Sequence, residues 1–330
     1  MPRTRIPLQY VPLLATVAAC ILLYTACCLL YPGFFSLRVF VNLISDNAFL
    51  GIIAVGMTFV ILSGGIDLSV GSVAALCGTA MAVMIQRGGL HPCVAIPVGL
   101  LIGGALGFGM GCLIHYFDRP PFIVTLGGMF LARGLAYVIS LQSITIEHGS
   151  YDVLSQMGVP VGGGLRLPLI AIVYLVVVLA GIYVTASTPF GRYVYAVGGN
   201  EEGALLMGLP VGRTKIAVYT VSGFCAALGA VVFTVYLSSG NPASGVGWEL
   251  DAIASVVIGG TLLSGGVGGI AGTFVGVLIF GIIQAGITFQ GTLSSWWTRV
   301  FIGALLLVFI LLQKAITTAA ARARGSAATA

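Results

Sequence analysis

The chain has 330 residues, 58% of them hydrophobic and 7% charged, whereas a soluble domain carries about 25% charged residues. That excludes a soluble globule, and the continuity of the apolar runs excludes a transmembrane β-barrel, whose segments alternate in polarity over about ten residues. The net charge of +5 comes without a clustered basic face interleaved with aromatics, so the composition points to a lipid bilayer and away from nucleic acid.

Arg3 and Arg5 precede an apolar stretch of about twenty residues. It exceeds the core of a signal peptide and no A-x-A site follows it, so it reads as a retained first span. Apolar runs then predict spans near 10–31, 47–63, 70–86, 93–115, 121–141, 167–186, 215–237, 250–263, 270–289 and 297–313. The expected fold is an all-α, polytopic helical membrane protein. It forms a single transmembrane domain over 1–330 with ten helices, and short tails at 1–10 and 314–330. A bilayer core takes about 20 helical residues, so the runs at 47–63 and 250–263 are short and predict broken or re-entrant segments.

Between the second and third runs stands SGGIDLSVGS, residues 63–72. A carboxylate at membrane depth costs about 2.5 to 3.5 kcal/mol on the insertion scale and usually faces a polar interior. Asp67 is therefore either part of a polar pathway or a residue of a plain connecting loop. Its preferred local role is to cap the helix start at Leu68–Gly71, where free backbone N–H groups meet an anion. A similar break, SGGVGGIAGT, recurs at 264–273 and suggests an internal repeat.

The positive-inside rule sets the sidedness. With the N-terminus in the cytoplasm, nine basic residues fall inside and four outside, and Arg133 lies within a span. Both termini are then cytoplasmic. Segment 142–166, with Glu147, His148 and Asp152, lies outside, and segment 187–215 lies inside. In the latter, NEEGALLMG predicts a short helix: Asn200 as its N-cap, Glu201 and Glu202 in the first turn, then Gly203, and Gly208 as the stop. Its apolar residues Ala204, Leu205, Leu206 and Met207 either dock into a partner's groove or pack on their own chain.

Catalytic signatures are missing from the sequence. There is no G-x-x-x-x-G-K-[ST], no nucleophile elbow or H-E-x-x-H, and His91, His115 and His148 are too scattered for a metal site. Nearly all of the seven cysteines sit in apolar runs, without metal-ligand spacing, and they read as packing residues. No cofactor or metal is expected on this chain. Transport remains, and the candidate pathway residues are Asn47, Thr58, Asp67, Ser69, Glu249, Asp251 and Trp297. Glu249 and Asp251 flank the mouth of a short span. Trp297, beside Trp296, is either an interfacial anchor or a sugar-stacking ring.

Four blocks carry a resemblance: GMTFVILSGGIDLSVGS at 56–72, PPFIVTLGGMFLARG at 120–134, YAVGGNEEGALLMGL at 195–209 and AIASVVIGGTLLSGGVGG at 252–269. In this order and spacing they resemble the ribose/xylose-type permeases of ABC sugar importers, over roughly residues 11–316. Longer blocks around 46–73 and 245–269, together with GTLSSWWTR, are similar to the galactofuranose importers of that family. The resemblance implies a permease of the bacterial inner membrane that imports a monosaccharide, galactofuranose by the longer blocks. It also implies three partners: a cytoplasmic ATPase that uses the ATP, a second and different permease chain, and a periplasmic sugar-binding protein. The ATPase would dock on the segment at 195–209, where Glu201-Glu202 is more acidic than in relatives. An ion-coupled secondary sugar transporter, with Asp67 and Asp251 as coupling acids, is the alternative.

Overall fold

Prolines, glycines and short polar caps delimit the helices of this chain in a computed structural model, which describes residues 11–292, 294 and 296–311. The tails expected at 1–10 and 314–330, with Arg3, Arg5, Lys314, Arg322 and Arg324, lie outside the described residues. Helix α1 (Val11–Leu30) is followed by α2 (Leu37–Asp46), started by Ser36, whose Oγ accepts the Val39 N–H. Helix α3 (Ala48–Leu62) departs from α2 by 54° at Asn47. Beyond the first glycine break comes α4 (Val70–Gln86), then α5 (Pro92–Tyr116) and α6 (Pro121–Ile139). Each of the last two opens on a proline, which lacks the N–H that a first turn leaves unpaired anyway.

The segment expected outside contains β1 (Ile144–Thr145), α7 (Gly149–Gln156), β2 (Gly158–Gly162) and β3 (Leu165–Pro168). Helix α8 (Leu169–Ser187) leads to α9 (Pro189–Gly199), α10 (Glu201–Leu206) and α11 (Val211–Leu237). After β4 (Ser239–Gly240) come α12 (Trp248–Ile258), α13 (Ile270–Gln290) and α14 (Trp296–Leu311). The strands form two small antiparallel ribbons, β1 with β4 and β2 with β3, and the first packs against α4.

Six helices among the described residues are long and apolar enough to cross a membrane: α1, α5, α6, α8, α11 and α13. The bent α2–α3 pair makes a seventh if it is one span. This corrects the expectation of ten. The remaining apolar runs are helical but short: α4 has 17 residues, α12 has 11, and α14 runs only from Trp296 to Leu311 within the described residues. At 1.5 Å per residue α12 covers about 16 Å, half of a bilayer core of about 30 Å. Apolar composition continues through a glycine break; the helix does not.

Helix α3 lies at the centre, with every residue except Phe49 buried, and α11 packs against α5, α3 and α4. Close approach of α5 to α11 depends on Gly103, Gly107 and Gly111, spaced four apart on one face. A Cβ at Gly107 would overlap the Tyr219 carbonyl, and one at Gly111 would stand 2.8 Å from the Ile216 Cα. Small residues on one stripe let backbones meet and gain van der Waals contact in a solvent that gives helices no hydrophobic drive to associate.

Candidate functional site

A cavity of about 450 Å³ opens at one end of the bundle, between the α2–α3 bend, the last turn of α11, the first turn of α12 and the last turns of α13. Asn47 makes the bend: its Nδ2 donates to the Leu43 carbonyl at 2.9 Å, a local bond that competes with continuation of the helix. The bend brings Asp46 and Asn47 to the wall. Asp46 Oδ1 accepts the Tyr236 hydroxyl at 3.2 Å, from the end of α11.

One side of the cavity is aromatic. Trp248 packs against Phe49 and Phe233 with ring centroids 4.6 and 4.7 Å apart, and Phe49 and Phe233 are 5.0 Å apart. Asp251, one turn beyond Trp248, and Gln284 on α13 add polar groups. The volume falls within the roughly 300 to 1,000 Å³ of small-ligand sites. Aromatic faces with carboxylate and amide groups around them suit a polyhydroxylated molecule, which presents C–H faces and a rim of hydroxyls.

Of the predicted pathway residues, the structure brings Asn47 and Asp251 together at this cavity. Thr58 is buried deeper, where its Oγ1 meets the Ala54 carbonyl at 2.6 Å and Thr273 Oγ1 at 2.7 Å, joining α3 to α13. Asp67 and Ser69 form a separate interior knot. Asp67 is fully buried; its Oδ1 accepts the Ser69 N–H at 2.9 Å and the Ser69 hydroxyl at 2.6 Å, and its Oδ2 accepts the Ser222 hydroxyl at 2.7 Å. The carboxylate thus takes one backbone N–H just ahead of α4, where Ser69 holds the N-cap position, and spends its other oxygen on α11. Glu249 points toward Gly71 on α4 rather than into the cavity, and its Oε2 has no hydrogen-bond partner among the described residues. Trp297 is half-exposed on α14, packed on Phe301 at 6.0 Å, away from the cavity.

Phe49, Phe233, Tyr236, Trp248 and Gln284 escaped the sequence reading. Trp248 had the one usable signal, standing beside Glu249 and Asp251 in VGWELD. The others sit in apolar runs where a cavity residue and a core residue look alike.

The opposite end of the same helices carries α10. Asn200 is its N-cap, with Oδ1 accepting the Gly203 N–H at 2.8 Å, and Gly208 ends it with φ +76°. Glu201 pairs with Lys215 of α11 at 2.6 Å. Ala204 is buried against Val197 and Val211, whereas Leu205, Leu206 and Met207 are 65, 89 and 70% exposed. Immediately before it, Gly198 lies so close to α3 that a Cβ would overlap the Leu62 carbonyl oxygen. That oxygen also accepts the Gly266 N–H at 2.9 Å. The two sequence-similar glycine breaks therefore meet each other and the base of α10 in one backbone junction. Helix α11 runs from Val211 near α10 to Tyr236 at the cavity, about 40 Å at 1.5 Å per residue.

An all-α, multi-pass bundle with a small-ligand cavity at one end and an exposed apolar helix at the other is a membrane permease in form. The chain belongs to the family described as the branched-chain amino acid transport system permease component, which matches residues 39–310. It is 52% identical to the inner membrane ABC transporter permease protein YjfF of Escherichia coli, over 93% of this chain and 92% of that protein. It is 40% identical to the fructose import permease protein FruG of Bifidobacterium longum, with 93% and 92% covered. It is 41% identical to the ribose import permease protein RbsC of Bacillus subtilis, with 87% and 88% covered. No solved structure matches the chain. As a permease component it is a transport subunit and not an enzyme.

Proposed function

We propose that this chain is the transmembrane subunit of a binding-protein-dependent ABC importer for a monosaccharide in the bacterial inner membrane, with both termini in the cytoplasm. The cavity carries this reading: three packed aromatic rings, with Asp46, Asn47 and Asp251, line about 450 Å³ and offer stacking and hydrogen bonding. Relatives named for fructose and ribose import support a sugar, and the longer blocks around 46–73 and 245–269 support galactofuranose. Sugar leaving a periplasmic binding protein enters at the cavity. A separate ATPase docks at Asn200–Gly208 on the other face, and a second permease chain completes the pathway.

Nucleotide state shifts the permease only if the ATPase binds its two conformations with different affinity. Leu205, Leu206 and Met207 give it the surface, and the Gly198–Leu62–Gly266 junction connects that surface to both glycine breaks. Asp67 is closed by two serines and Asp251 stands at the cavity, which favours the ATP-driven reading over one in which both serve as coupling acids. Reconstitution with ATPase, second permease and binding protein tests the reading: uptake of radiolabelled galactose should require ATP and be competed by furanose sugars. Uptake that persists without ATP and collapses with an ionophore would overturn it.

A further inference from the structure

We propose that Arg133 is the positioning residue that holds Trp248 in the cavity wall. It is the sole charge in α6 and is half-buried there. A guanidinium within an apolar span is costly, so what its donors hold is informative. Nη1 donates to two backbone carbonyls of one loop, Pro242 at 2.7 Å and Ser244. That loop, residues 241–247, joins β4 to α12. It is folded by Asn241, whose Oδ1 accepts the Ala243 N–H at 2.9 Å, and by Gly245 and Gly247 at φ +73° and +87°. On its other side Gly245 presses against the Gly71 carbonyl of α4, with no room for a Cβ. The Trp248 N–H then bonds the Gly245 carbonyl at 3.3 Å.

The loop is thus gripped between α6 and α4, and its next residue is the central ring of the aromatic wall. Charge-assisted hydrogen bonds are about twice as strong as neutral ones. Arg133 supplies two of them at the point where irregular backbone most needs a fixed partner. Glu249, next along the chain from Trp248, turns instead toward Gly71 of α4, so the loop carbonyls of Pro242 and Ser244 are the groups that Arg133 holds. The geometry gives Arg133 no contact with the cavity; it acts through the loop.

Trp248 itself reports the outcome. In the full-length chain with Trp296→Phe and Trp297→Phe, Trp248 is the remaining tryptophan of three. In this full-length chain purified in detergent, Arg133→Met should shift Trp248 emission to the red and raise its acrylamide quenching about twofold, as a stacked ring gains solvent. Arg133→Lys, which keeps a cation but not the planar fork, should shift it partway; if the Met variant does not accumulate, this variant carries the test. Unchanged emission and quenching in the Lys variant and in any recovered Met variant would overturn the proposal. A transport arm rests on the cavity reading: in the native-tryptophan transporter, Arg133→Met should raise KM for radiolabelled galactose about tenfold, the loss expected for charge-assisted bonds, with Arg133→Lys in between. A shifted Trp248 with unchanged KM upholds the positioning role and sinks the cavity as the sugar site.

Discussion

Asp67 is a fully buried carboxylate held entirely by hydrogen bonds from its own chain. Both oxygens are committed, to Ser69 and to Ser222 of α11. Asp67→Leu leaves a backbone N–H and two hydroxyls without acceptors, at about 1 to 3 kcal/mol for each group that stays unpaired, whereas Asp67→Asn keeps an acceptor. Thermal unfolding in detergent should therefore fall further for Leu than for Asn, and uptake should follow the same order. Equal loss of uptake in both variants would instead mean that the charge itself is required. At the cavity, Trp248→Ala should raise the KM for sugar more than Trp248→Phe, because Phe retains an aromatic face worth about 0.5 to 1.5 kcal/mol in ring pairs. Equal KM values would remove stacking from the account. Asp67 stood out in the sequence because a charge in an apolar run is rare. Trp248 did not, because tryptophan at a span boundary is ordinary.

Helix α10 was legible almost residue by residue, since caps and stops are local chemistry. Asn200 and Gly208 act within four residues of their own positions, so no tertiary information was needed to place them. Gly208 holds φ +76°, which proline, fixed near −65°, does not reach. Gly208→Pro, or removal of 201–208, should abolish ATP-driven uptake while the chain still inserts in the membrane; normal uptake by either variant would end the docking assignment. Leu206→Asp should prevent co-purification of the ATPase, because the side chain is 89% exposed and has no structural duty inside the bundle. Lys215→Ala should matter far less, as a partly exposed ion pair contributes about 0 to 1 kcal/mol. The spans were less legible: α12 and α4 belong to long apolar stretches, yet both stop where glycines release the backbone.

Across the whole molecule, the cavity and α10 occupy opposite ends of α3 and α11, and the glycine junction lies where α10 meets both breaks. Gly198→Ala forces a methyl against the Leu62 carbonyl, so the junction must open. In the assembled transporter, ATP hydrolysis should persist while uptake falls about tenfold, the cost of a shift of about 1.4 kcal/mol in a two-state balance. Full uptake by this variant would show that the contact transmits nothing. The sequence by itself determined the membrane class, the helical content, the positions of the glycine breaks and the capped helix at Glu201–Leu206, because hydropathy, backbone conformation and capping are properties of neighbouring residues. Only the tertiary structure decided how many helices are long enough to span, that the two SGG breaks meet, and that Asp46, Phe233, Trp248 and Gln284 share one cavity. Helices apolar on every side have no polar face to mark their inward direction, so which side chains converge across more than two hundred residues of chain is decided by packing alone.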